Sequence, residues 1–276
     1  MKNATQLLFL MGLASTSLFA QEVSGYEKVA YFSPADIEVE DVNLSSKNAI
    51  AQADHCKMAF TVENTSTDLV MYDSKESEFV YEFGKSNPSV KSFILSPGDK
   101  KTKTLLVKGD GNYLQKGFKL EVKGLYKIPL NGDVTAADQF QLPASMNNFT
   151  AGNFKVQLKK YDATTKEASA VFECTYIGDG IGLVDASSLS VTTNKNKSKE
   201  QITYANDDKK ADIEILNKNE SIDFKAVFHI PGKIADMQFA TMMVNWNNTF
   251  VETSAQPIEG PVLQFDMDEA ATKAAN

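Results

Sequence analysis

The chain has 276 residues, with 28 basic and 36 acidic side chains and a formal net charge of −8. That balance disfavours nucleic acid, whose affinity comes largely from neutralised phosphates. Every basic residue is a lysine. The planar fork that grips phosphate or carboxylate bidentately is therefore missing, which argues against a phosphoryl-transfer site or an arginine-clamped acid substrate.

The first segment, MKNATQLLFLMGLASTSLFA, has a basic start at Lys2, an apolar run from Leu7 to Leu13 and a small-residue stretch ending at Ala20. That is the layout of a secretory signal peptide over residues 1–20, with cleavage after Ala20 and a mature chain from Gln21. The apolar run is too short to span a bilayer, and the mature chain offers no longer one. The expectation is an exported protein, periplasmic or extracellular or associated with the outer membrane, without a transmembrane segment. Cys56 and Cys174 are the two cysteines. In an oxidising compartment they are a candidate disulfide, with two buried free thiols as the alternative.

From there the pattern is period two, the mark of strands with one buried face. Met58, Phe60 and Val62 alternate, then Phe79, Tyr81 and Phe83, then Leu105 and Val107, then Phe118, Leu120 and Val122. Turn signals separate them at Ser86–Pro88, Ser96–Asp99 and Gly109–Asn112. The polar stretch 131–152 reads as a linker between a first domain, 26–130, and a second, 153–268. The second series has Phe154, Val156 and Leu158, then Ala170, Phe172, Cys174 and Tyr176, then Ile222, Phe224, Ala226, Phe228 and Ile230. Met237, Phe239, Thr241 and Met243 form a further alternating run, and Leu263, Phe265 and Met267 another. Residues 194–212 read as a charged loop or edge strand, and 269–276 as a flexible tail. No long helix is expected, so the fold class is all-β, with two antiparallel β-sandwich domains in tandem.

Within residues 58–109, the segments FTVENTSTDLVMYD, EFVYEF and FILSPGDKKTKTLLVKG resemble the Ig-like sandwiches of bacterial exported proteins. The matching pieces are Val62–Thr67, a strand ending in an Asn-rich turn, and Ser96–Gly109, a Pro-Gly turn leading a Thr-rich strand. The resemblance implies an Ig-like fold and an accessory, adhesive or assembly role without catalysis. The lysine-rich, arginine-free composition is also similar to that of Bacteroidota envelope proteins.

Candidate sites are sparse. His55 and His229 are the two histidines, and no GxSxG elbow accompanies them, so nucleophilic catalysis has little to rest on. Asp36, Glu38 and Glu40 alternate with Ile37 and Val39, as the solvent face of a strand does. GDGIG at Gly178–Gly182 reads as a turn, since its spacing and context do not suit phosphate. Calcium is the ion to consider outside the cell, and Asp266 and Asp268, on one strand face, are the best ligand pair. No other cofactor is implied. Trp246, flanked by Asn245, Asn247 and Asn248, would suit glycan or protein contact if exposed. The leading expectation is a non-catalytic exported protein that contacts a protein partner or an envelope assembly through strand edges and loops. The alternatives are a glycan-binding module using Trp246 and the neighbouring asparagines, and a hydrolase using a carboxylate pair or a metal.

Overall fold

The computed structural model describes residue 23, residues 25–195 and residues 198–276. The signal peptide expected over residues 1–20 lies outside the described residues. Alternating side chains dictate strands because successive Cβ atoms point to opposite faces. In chain order these are β1 (Val29–Ala30), β2 (Ile37–Val39), β3 (Val42–Gln52), β4 (His55–Asn64), β5 (Leu69–Tyr72), β6 (Glu78–Tyr81), β7 (Gly84–Ser86), β8 (Phe93–Leu95), β9 (Lys100–Lys108), β10 (Gly117–Glu121), β11 (Leu125–Ile128) and β12 (Asp133–Val134). They continue as β13 (Phe140–Leu142), β14 (Asn148–Ala151), β15 (Phe154–Ala163), β16 (Glu167–Tyr176), β17 (Ile181–Asp185), β18 (Ser190–Asn194), β19 (Gln201–Ala205), β20 (Ile213–Leu216), β21 (Ser221–His229), β22 (Met242–Asn245), β23 (Phe250–Thr253), β24 (Gln256–Ile258) and β25 (Val262–Asp266). A short helix, α1 (Glu269–Ala274), follows. The fold is all-β, as expected, and its sheets are antiparallel.

Among the described residues six sheets form, in two sets with the same wiring. In the first set the orders are β1-β3-β4-β9 with β2 also on β3, β25-β10-β6-β7, and β24-β11-β5-β8. In the second they are β14-β15-β16-β21, β13-β22-β18-β19, and β12-β23-β17-β20. The correspondence reaches single residues. β4 meets β9 with His55 opposite Lys108, and β16 meets β21 with Glu167 opposite His229. Counted from there, Phe60 matches Phe172, and both are buried. Both long hairpins carry a bulge, between Lys47 and Ile50 and between Leu158 and Lys160. Both turn through a 3₁₀ segment after the next strand, capped by the carboxylates of Asp73 and Asp185. An aspartate there satisfies an amide that would otherwise lack a partner.

The sets are not consecutive in sequence. After β11 the chain leaves the first set, and β12 and β13 pair with β23 and β22 of the second. After β23 it returns, and β24 and β25 pair with β11 and β10 of the first. The second set is thus completed by strands that follow β11 of the first, and the first by strands that follow β23 of the second. This corrects three expectations. Residues 131–152 are not a linker: they contain the short edge strands β12, β13 and β14. The division at 153–268 gives the second domain strands that belong elsewhere, since Ile258, Leu263 and Phe265 pack in the first core. The tail is tied down by Asp268, which caps α1 through Ala271 N (2.9 Å), and by Asn276, whose Oδ1 accepts from Glu27 N and Lys28 N at 2.7 and 2.9 Å.

One core lies within the first set and one within the second. A third apolar cluster joins them, with Leu69 and Ile128 of the first set against Ile181, Leu183 and Val251 of the second. Leu69 and Ile181 are matched positions on β5 and β17, so the seam presents the same strand from both sides, like the self-complementary face of a two-fold dimer. Phe265 shows what strand return contributes. It is fully buried and stacks on Phe118 with ring centroids 4.6 Å apart. Replacing Phe265 by Ala should destabilise the protein by about 3 to 5 kcal/mol, read as a lower urea midpoint at unchanged slope. Ending the chain after Thr253 should leave the β6 and β10 side of the first core unformed, read as lost amide protection there.

Candidate functional site

The WNNT segment is a turn. Trp246 follows β22, Asn247 takes a left-handed φ of 39°, and Thr249 N donates back to Trp246 O at 2.7 Å. Asparagine tolerates that backbone and bonds locally, which explains its abundance here. Asn247 Nδ2 donates to Ser188 O at 2.7 Å. Asn245 Nδ2 donates to Thr192 Oγ1 at 2.9 Å, and its Oδ1 accepts from Gln139 Nε2 at 2.6 Å. Asn248 is exposed. Trp246 itself is only 2% exposed and packs against Phe149, Phe172 and Phe250, with centroids 4.8, 5.1 and 5.4 Å away. The expected sugar platform is therefore a core side chain, because the turn folds its indole inward.

The cysteines also part company. Cys56 lies in the first core and Cys174 in the second, both buried and free. No bridge joins them, since each strand delivers its own thiol into its own core. Burial pushes both thiols up to about 12. Asp266 ends β25 and accepts from Gln264 Nε2 at 3.1 Å, while Asp268 is occupied in capping α1. The two do not form a ligand pair, and among the described residues no group of three His, Cys, Asp or Glu side chains is placed to hold a metal.

Besides Cys56, Tyr31 and Tyr81, which lie together in the first core, titratable groups among the described residues form surface ion pairs. His55 Nδ1 lies 2.7 Å from Asp54 Oδ1, and His229 stands 3.5 Å from both Glu167 and Asp207. Glu78 and Glu121 share Lys85 and Lys123 at 2.7 and 3.1 Å each. The two ammonium groups bring Glu78 down to about 2, the opposite of what a general acid needs. Asp36 and Glu38 border a shallow cleft of about 250 Å³ with Glu63 and Lys100. A cleft of about 380 Å³ lies where the exchanging segments cross, beside Asp133, Glu252 and Gln256. Glu252 Oε2 there accepts from Asn153 Nδ2 and Tyr176 OH at 2.8 and 3.1 Å.

What distinguishes the two sets is their longest edge. In the second, the outer side of β21 is covered. Val227 N donates to Asn206 Oδ1 and Val227 O accepts from Asp207 N, both at 2.8 Å, while Lys225 O accepts from Asn206 Nδ2 at 3.3 Å. In the first, β9 turns its odd-numbered amides to β4, as the flanking bonds Asn64 N to Asp99 O and Gly109 N to Asp54 O show. The alternation of an antiparallel ladder then points Lys100, Thr102, Thr104, Leu106 and Lys108 outward. Leu106 matches Val227, yet no backbone partner meets it among the described residues. Lys101 and Lys103 point to the core side of the sheet but stay half-exposed, with the Lys101 ammonium 5.3 Å from the Phe93 ring. The sequence points to strand edges in general. Only the matched second copy singles out this one.

No family model and no curated protein matches the chain. Among solved structures it is similar to red sea bream transglutaminase at 10% identity, covering 80% of this chain and 31% of that one with a TM-score of 0.20. It is similar to the secreted serine protease VesC from Vibrio cholerae at 10% identity, covering 83% and 50% with a TM-score of 0.17. The chain spans half the length of those proteins or less, and likeness at this level carries neither fold nor activity across.

The thiols make a testable statement. A thiol-reactive dye should label neither Cys56 nor Cys174 in the folded protein and both in urea, without prior reduction. Their folded values lie above the ordinary 9.0, so the folded state holds protons that the unfolded chain releases. Stability from this source is complete below pH 9 and falls as pH rises toward 12. Changing both cysteines to Ser should flatten that alkaline decline in a urea-midpoint series.

Proposed function

We propose that the protein is an exported, non-catalytic module of two Ig-like β-sandwiches that recruits a protein partner in the envelope by adding an acidic extended segment of it to the β9 edge. The observation that carries this reading is the contrast between matched edges, β21 covered by Asn206 and Asp207 and β9 open from Lys100 to Lys108. A free edge offers a row of donors and acceptors that a partner strand can complete. Lysines on the edge and on its inner face discourage indiscriminate pairing. Two β9 edges brought together antiparallel about Thr104 would set Lys100 against Lys108, and like charges directly opposite are destabilising. A carboxylate-bearing strand meets the same lysines favourably. Leu105 and Val107, buried on the inner face, and Leu106 on the outer give apolar neighbours for its alternate side chains.

The test is a fluorescently labelled peptide of alternating Glu and Val, about the length of β9, followed by anisotropy. Saturable binding that weakens with salt is expected. Leu106→Pro removes one outward N–H and none that serves the β4 ladder, so the fold tolerates it as edge strands tolerate proline. It should weaken binding about tenfold or more, and Lys101→Glu with Lys103→Glu should do the same. Absence of binding, or binding indifferent to both changes, overturns the reading.

A further inference from the structure

The sheet that β9 borders has a second open edge, at β2. This strand pairs with β3 through Ile37 opposite Leu44, Glu38 opposite Asn43 and Val39 opposite Val42. β1 lies on the same side of β3, but its outer side is taken. There Phe32 N donates to Asp266 O and Asp268 N to Ala30 O, at 2.9 and 2.8 Å. No backbone partner meets the outer side of β2 among the described residues. Thr65 N donates to Asp41 O at 2.9 Å, so the odd-numbered groups at this end of β3 turn to β4. Val42 and Leu44 then turn to β2, where Val39 and Ile37 meet them, and the backbone groups of Glu38 point outward.

The two edges carry opposite charge. Ile37 and Val39 pack against the first core, while Asp36, Glu38 and Glu40 are exposed. None of these three carboxylates makes an ion pair among the described residues, and the neighbouring Asp41 is held by Lys127 at 2.7 Å. β9 itself has four lysines and no acid. Lys100 is paired with Glu63 at 3.0 Å, but both side chains are well exposed and such pairs are weak. The Lys101 ammonium lies over the Phe93 ring, Lys108 stands near Asp54, and Lys103 has no ion pair among the described residues. Of the acids just beyond the strand, Asp99 accepts from Ser96 N and Asp110 lies in the next turn. The matched strands of the second set lack this contrast. Glu40 and Gly152 are matched turn positions, with left-handed φ of 45° and 53°. Counted from there, Asp36 and Glu38 correspond to Asn148 and Thr150, and Lys101 and Lys103 to Ile222 and Phe224. The geometry of the fold therefore does not require the charges.

β2, β3, β4 and β9 alternate in direction, so β2 runs opposite to β9. Setting β2 of one copy beside β9 of the next continues the antiparallel ladder. The parity agrees as well. On both strands the outward backbone groups lie at even positions, and the even side chains face away from the core. Pairing them keeps both cores on one side of a continuous sheet, with the carboxylates on the face of Lys100 and Lys108. Pairing β2 with β2, or β9 with β9, brings like charges together and is disfavoured. We propose that the acidic strand received by β9 is β2 of a second copy, so that copies add head to tail. This rests on β9 accepting an acidic strand, and it names the strand. Such a contact joins two different patches and does not close on two copies, so it builds rings or filaments.

The experiment is sedimentation velocity of the mature protein at low salt over a range of concentrations. The expected result is a weight-average mass that climbs past the dimer and falls back as salt is added. Leu106→Pro, and separately Asp36→Lys with Glu38→Lys, should each weaken association about tenfold or more. The second pair of changes alters only exposed side chains, so its urea midpoint should not move. Mixed together, the two variants should form one-to-one pairs and nothing larger, because one keeps β2 intact and the other β9. A protein that stays monomeric, stops at a dimer, or associates equally well with either change overturns the proposal. The Asp36→Lys, Glu38→Lys variant should still bind the Glu and Val peptide as the parent does. Peptide binding by a chain that never self-associates removes the second copy as partner and leaves the open edge standing, whereas loss of both removes both.

Discussion

The ladder between β25 and β10 is the interaction on which the rest of the molecule depends. It joins the end of the chain to its first half and sets Phe265 flat on Phe118, which in turn touches Tyr31, Phe79 and Tyr81. Without it the first core has an open side. The cost is kinetic, because contacts between residues so far apart close a long loop before they return any stabilisation. The C-terminal turn of helix then secures the N-terminal strand, with Thr272 Oγ1 accepting from Ala30 N at 3.0 Å.

The reverse exchange, of β12 and β13 onto β23 and β22, makes the arrangement reciprocal. The two sets are held by two crossing segments and by the seam of Leu69 and Ile128 against Ile181, Leu183 and Val251. A matched pair of this kind makes differences informative. Where the sets agree, as at the bulges and the aspartate caps, the reason is the geometry of the fold. Where they disagree, as at the edges of β9 and β21, geometry alone does not require it.

Much of the strand pattern was legible. Met58, Phe60 and Val62, and likewise Phe224, Ala226 and Phe228, do line buried faces, because a period-two repeat leaves little else for them to do. The alternation of Met237, Phe239, Thr241 and Met243 misled. Pro231 and Gly232 open a looped segment there, and the carbonyl of Asp236 gathers the amides that a strand would have used. Phe239 consequently points to solvent. Trp246 and its asparagines misled differently, since polar neighbours in sequence describe a turn and not the environment of the indole. β12, β13 and β14 passed for a linker because strands of two to four residues are too short for alternation to stand out, even where Phe140 and Leu142 bury their side chains.

By itself the sequence determined that this is a β protein, which side chains face inward on most strands, and that no arginine chemistry is available. Tertiary structure alone decided which strands belong together, that Cys56 and Cys174 sit in separate cores, and which edge stays open. The physical reason is that alternation specifies a face and not a partner. Partners are chosen by contacts between distant segments, and the period-two pattern of one strand is compatible with many neighbours.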